Sequence, residues 1–250
     1  MRFLLICFLF SLALSGQAEQ KLPSKYVWAE SGLTLRAEGN KNGTKLLVIP
    51  FGAEVTLTGV IGEQAKILAL TSVSYEWDKK ETSDPYIMKD YFVEVQYSNK
   101  VGYVYSGYLS SYSPESDGLP HEGIYGWLNT IGRDLDTIKH KRLPNEYGQG
   151  KRIYQYANGI KVIEEEFEGG GSLTLKIPAA SISEGFLIAN RFFGVSAGVK
   201  NKEEILEIGD FLPELLSVLP DGNLHFRGSM GETKIQVING LLVIYSAGWC

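Results

Sequence analysis

Over the first half of the chain, apolar and polar positions alternate in short runs. The runs at 33–36, 45–49, 54–60, 92–97 and 101–105 are rich in β-branched and aromatic residues, and Gly, Asn or Pro separates them. That is the pattern of short strands between turns. Val93 and Val95 share one face of a strand by its two-residue period, and Val101, Tyr103 and Tyr105 share one face of the next. Five short strands within residues 26–112 predict a small all-β barrel.

Beyond residue 121 strands mix with helices. Ser181-Ile182-Ser183-Glu184 has capping-box spacing, and Ile182, Phe186, Ala189 and Phe193 then fall on one helical face. Asn201 and Glu204 repeat that spacing before Ile205, Ile208, Leu212, Leu215 and Leu219, with Pro213 kinking this second helix or moving its start to Asp210. Strand-like runs lie at 152–156, 161–167, 172–177, 223–226, 233–238 and 241–246, the last read as buried on both faces with Trp249 packed after it. Asn158-Gly159 and Asn239-Gly240 are predicted as two-residue hairpin turns with both residues at positive φ. Residues 122–250 are therefore expected to form an α+β domain of antiparallel hairpins packed on about two helices. Residues 113–121, polar and holding two prolines, read as a linker.

The chain opens with Arg2, an apolar run from Phe3 to Leu14, and Ser15-Gly16-Gln17-Ala18. These are the three zones of a signal peptide over residues 1–18. The run is too short for a bilayer core of roughly 30 Å, which takes about 20 apolar residues. A periplasmic or secreted protein without a transmembrane segment is expected. Cys7 lies inside the apolar run rather than at its end, against a lipid-attachment role. Cleavage after Ala18 leaves Cys250 as the single cysteine, so an internal disulfide is excluded. Cys250 is a candidate for an intermolecular disulfide and a linked dimer; the alternative is an inert terminal thiol.

Within residues 26–112 the strand Leu33-Thr34-Leu35-Arg36 is followed by a Gly/Asn-rich loop at 38–44 and an apolar-Gly turn, Val48-Ile49-Pro50-Phe51-Gly52, leading into Glu54-Val55-Thr56-Leu57. Residues 91–95, Gly102-Tyr103-Val104 and Tyr108-Leu109 close the segment. In this order these pieces resemble the opening strand, variable loop, turn and closing pattern of a bacterial SH3 (SH3b) domain. Tyr91 and Tyr103 stand where the family usually has Trp, and residues 62–90 are longer than the usual connection. That insert is either a loop reshaping the binding face or an extended hairpin. The expected fold is thus an all-β SH3-like small barrel followed by the α+β domain. The stretch from Tyr147 to residue 168 is similar to one MORN-type hairpin. Such repeats need neighbours to bury their faces, so a single copy reads as a plain hairpin.

Composition narrows function by exclusion. The 250 residues carry 24 Lys+Arg against 29 Asp+Glu, a net charge of −5. No basic surface for neutralising phosphates follows, and nucleic acid is not an expected partner. A cysteine peptidase needs a thiol activated by a nearby His, and Cys250 ends the sequence with no helix after it. Gly194-Val195-Ser196-Ala197-Gly198 matches a hydrolase nucleophile elbow, with Asp210 and His225 following in order. That elbow needs a strand before it, and here a helical segment precedes, so it reads as a glycine-rich helix exit. His121, His140 and His225 have no metal-ligand spacing, and no metal or cofactor is expected. Glu164 and Glu166 share a strand face and could supply paired carboxylates for glycoside hydrolysis. A solvated strand face explains them without chemistry and is the favoured reading, as it is for the basic run Lys139-His140-Lys141-Arg142. Gly169-Gly170-Gly171-Ser172 lacks the ending of a phosphate loop and reads as a flexible turn.

Aromatic residues are concentrated between 75 and 112, where eight of the 14 tyrosines lie. Tyr91, Tyr103, Tyr105, Tyr108 and Trp77 are the candidate ligand-binding residues, because a tyrosine ring stacks and its hydroxyl bonds at low entropic cost. The opposing reading is that these rings fill or cover the barrel. The leading expectation is a secreted or periplasmic, non-catalytic binding protein whose SH3b-like barrel contacts a peptide, with peptidoglycan implied by the resemblance. One alternative is an envelope inhibitor or immunity-type protein with a protein partner at residues 122–250. The other is an unrecognised cell-wall enzyme using Glu164 or Glu166.

Overall fold

The computed structural model describes residues 22–76, 80–114, 123–131, 141–144, 150–156, 158–200, 215–228 and 230–249. It is mostly antiparallel β, as the alternating pattern predicts. The first sheet holds β1 (Ser24–Val27), β2 (Leu33–Arg36), β3 (Lys45–Ile49), β4 (Glu54–Leu70), β7 (Tyr86–Tyr97), β8 (Lys100–Tyr105) and β9 (Leu109–Ser110). Their spatial order is β3-β2-β8-β7-β4-β1-β9. The sheet curls around Val27, Leu33, Leu35, Ile49, Val55, Val95, Val104 and Leu109. Much of the stretch 62–90 proves to be an extended hairpin. β4 and β7 stay paired from Gln64↔Tyr91 to Leu70↔Tyr86, and a small ribbon of β5 (Ser74–Glu76) and β6 (Lys80–Thr82) extends beyond them.

The second sheet contains β10 (Lys141–Pro144), β11 (Gly150–Gln155), β12 (Lys161–Phe167), β13 (Gly170–Pro178), β14 (Leu215–Val218), β15 (Leu224–Arg227), β16 (Gly231–Ile238) and β17 (Leu241–Trp249). They lie in the order β10-β11-β12-β13-β17-β16-β15-β14, all neighbours antiparallel. Helices α1 (Gly123–Ile131), α2 (Ile182–Phe193) and α3 (Val195–Lys200) complete the described structure. The start of α2 follows the expected cap, with the Ser181 hydroxyl accepting the Glu184 N–H at 3.1 Å. Gly194 ends it at φ +65°, a left-handed position that favours glycine. Gly185 lets α2 lie close on the sheet, since a Cβ there would stand 2.6 Å from side-chain atoms of Ile235 and Leu242.

Three local expectations are corrected. Leu215, assigned by its spacing to a second helix, is in strand β14, and Leu219 is in the following turn. Register with β15, from Leu215↔Arg227 to Val218↔Leu224, overrides the helical spacing of the leucines. At Asn158-Gly159 only the glycine has positive φ. The Tyr156 N–H bonds Ile160 O and the Gly159 N–H bonds Tyr156 O, the bonding of a longer loop with one left-handed residue. Asn239 and Gly240, at φ 52° and 75°, do make the expected turn. Finally, β17 is buried chiefly on the face of Leu242 and Ile244, with Ala247 the one buried residue of its other face, and Trp249 at the strand's end is 41% exposed.

The two sheets share a core. Strand alternation sends Val95 and Val104 into the curl of the first sheet and Phe92 and Tyr105 to its other side, where they join Trp127, Phe186, Ile188 and the inner face of the second sheet. The link between β6 and β7 also meets edge strand β14. Asp84 N–H bonds Leu216 O at 2.8 Å, and the Asp84 carboxylate and the buried Ser83 hydroxyl accept the Val218 and Leu216 amides. These bonds occupy polar groups of an edge that would otherwise be open to pairing. At the start of the stretch read as a linker, Ser113 O accepts the Trp127 indole N–H, and just before it Tyr112 O accepts the Trp28 indole N–H, both at 2.7 Å.

Candidate functional site

The candidate tyrosines do not form one surface. Tyr105 is 3% exposed and its hydroxyl donates to Met88 O at 2.9 Å. Tyr108 is half-buried, with its ring 5.9 Å from that of Tyr105. Tyr103 is half-buried over Gly39. Tyr91 is 45% exposed. Trp77 and Cys250 lie outside the described residues, as do His121, His140 and Asp210. The tyrosine density mostly serves the contact between the sheets. Tyr86, Tyr105, Tyr108 and Tyr112 all belong to or pack on the shared core, a face that strand period alone leaves unassigned.

Burial has a titration consequence. It pushes the Tyr86 phenol up to about 12, the Ser183 hydrogen bond opposing and Asp90 adding to the rise. Burial also raises Tyr105, Tyr108 and Tyr112. Neutral phenols buried in the native state ionise more readily once unfolded, at about pH 10. The stability they contribute is therefore complete below about pH 10 and lost as pH rises through about 12. Urea midpoints taken between pH 9 and 12 should fall steeply over that window, with phenolate absorbance appearing together with unfolding. Full phenolate absorbance in protein that remains folded would contradict this burial.

Two of the candidates, Tyr105 and Tyr108, line a cleft of about 500 Å³ between the first sheet and helices α2 and α3. Trp28, Phe92, Phe186 and Leu187 give it apolar walls. Glu30, Thr34, Arg36, Lys41 and Asn190 bring polar groups to it. β2 places Thr34 and Arg36 on this side because Leu33 and Leu35 alternate into the curl. The Arg36 guanidinium is steadied by donating to Gly43 O at 2.7 Å. Asn190 Oδ1 accepts both the N–H and the hydroxyl of Ser196. That accounts for the serine of the elbow-like motif: it follows a helix, is buried, and is bonded to an amide rather than to a histidine. Sequence reading notes Arg36 only as the end of a strand and gives Lys41 and Asn190 no role. Nothing local brings residues 28–41 to 186–196.

A second, open pocket of about 380 Å³ is lined by Tyr125, Phe193 and the glutamates of β12. Glu164 and Glu166 do share a face there. Arg152 bridges them, at 3.4 Å to Glu164 and 2.9 Å to Glu166, and Tyr154 OH reaches Glu164 at 3.4 Å. His225 stands apart, bonded to Glu232 at 2.7 Å. Among the described residues, no three His, Cys, Asp or Glu side chains gather as a metal-binding group, and no helix is long and apolar enough to cross a membrane.

With this geometry in hand, comparison adds no relative: no protein-family model, curated protein or solved structure matches the chain.

Proposed function

We propose that this is an exported protein of the periplasm or the secreted fraction, and that it acts by binding. In this reading the first sheet is an SH3-like barrel of the bacterial SH3b kind and the second, with its helices, an α+β unit. Its ligand is an extended peptide, the peptide part of peptidoglycan, held in the cleft between the barrel and α2. The observation that carries the reading is the make-up of that cleft: aromatic walls from Trp28, Phe92, Tyr108 and Phe186 beneath a rim of polar groups on β2 and the loop after it. Apolar walls supply affinity by removing surface from water, and a few fixed polar groups orient the ligand. The SH3b resemblance and residues 1–18 supply the polymer and the compartment.

Sedimentation with purified cell-wall sacculi tests it. Residues 19–250 should pellet with the sacculi. Thr34→Trp, which fills the cleft from β2, should lower the apparent affinity by about tenfold or more, the equivalent of about 1.4 kcal/mol. Lys100→Glu, at the start of β8 and outside the cleft lining, should pellet as the parent does. A folded Thr34→Trp protein that still pellets fully would remove the cleft from the proposal. If Tyr91→Ala and Tyr103→Ala abolished pelleting instead, the ligand would lie on the more exposed tyrosines.

A further inference from the structure

The cleft holds charge that the fold leaves without a partner. Among the described residues the Arg36 guanidinium has only the Gly43 carbonyl as a hydrogen-bond partner, and Lys41 has none. Asn190 adds a third donor. The Ser196 backbone amide can only donate, so the atom facing it is the carbonyl oxygen Oδ1, which leaves the Nδ2 hydrogens free. Against these donors the lining carries one carboxylate, Glu30, likewise unpaired. In a chain of net charge −5 this is a local reversal of sign beside a wall of aromatic rings.

We infer that the cleft selects short peptides with a free carboxylate, taken by Arg36 and Lys41 while Glu30 accepts from the peptide's N–H groups or ammonium. This rests on the peptide-binding reading above and names the ligand group it recognises. Of the two cations Arg36 offers the directional contact. Its Gly43 bond uses Nη1, leaving the rest of the planar fork for a carboxylate, while Lys41 supplies a mobile point charge. Arg36 is half-buried beside the aromatic wall, where its contact is less screened than a surface pair, and Lys41 is exposed and adds charge from the rim.

The experiment compares stem peptides released from sacculi by an amidase with the same mixture amidated at its carboxyl groups, titrated into residues 19–250 by calorimetry. The free peptides should bind, and amidation, Arg36→Ala and Lys41→Glu should each weaken binding by about tenfold or more. Lys100→Glu should leave it unchanged, separating a specific contact from a general charge effect. Equal binding of free and amidated peptides, with Thr34→Trp still abolishing both, would overturn the carboxylate inference and leave the cleft as the peptide site. Binding of neither mixture would overturn the peptide-binding reading itself, and the inference with it.

Discussion

Replacing Trp127 with alanine should lower the unfolding free energy by about 3–5 kcal/mol, the usual cost of deleting a large buried aromatic. Trp127 is fully buried on α1. Its ring meets Trp28 edge-on at 6.0 Å, Tyr112 at 6.2 Å and Phe192 at 5.1 Å, joining the first sheet, the start of the connecting stretch and α2. Its indole N–H satisfies Ser113 O at 2.7 Å. Because one core serves both sheets, they should unfold together: urea transitions followed by far-ultraviolet circular dichroism and by tryptophan fluorescence should coincide in the parent protein. Trp127→Phe keeps most of the ring contact and loses the N–H, so its cost should be nearer about 1–2 kcal/mol. A Trp127→Ala protein within about 1 kcal/mol of the parent would show that the cluster does not join the two halves.

The parts legible in the sequence are those where local pattern and tertiary environment agree. The strand at 33–36 alternates cleanly because one face fills the curl, and those at 45–49 and 101–105 are marked by β-branched and aromatic residues with ends set by turn residues. The continuation of β4 through residues 63–70 is not legible, since Glu63, Gln64, Ala65, Lys66 and Ala69 favour helix over strand. Pairing with β7 and the burial of Leu70 decide the matter. Helix α1 is not legible either, for the converse reason. Its nine residues include two glycines, and it depends on burying Ile124, Trp127 and Leu128 rather than on propensity. The cleft is the least legible feature of all. Its walls come from the loop before β2, the long hairpin and α2, and only the contact between the sheets assembles them.

The same contact explains a departure within the capping motif. Capping-box spacing predicts that the Glu184 side chain turns back to the amide of Ser181, but the structure keeps only half of that arrangement. The carboxylate is turned away from its own helix to β9, where Oε1 accepts the Ser110 hydroxyl at 2.5 Å and the Ser111 N–H at 2.8 Å. Glu184 is 4% exposed, so the group is removed from water and its stability contribution depends on those donors. Glu184→Ala would leave a buried hydroxyl and a backbone N–H without an acceptor, and a loss of about 3 kcal/mol is expected, since hydrogen bonds to charged groups are each worth about 1.5–3 kcal/mol. Glu184→Gln retains an acceptor for the amide, and the serine hydroxyl can rotate, so its cost should be about 1 kcal/mol. Urea denaturation at pH 7 distinguishes the two, with a lower midpoint and an unchanged slope marking lost stability rather than a changed native state. If alanine and glutamine at this position cost the same, the carboxylate is not what ties α2 to the first sheet.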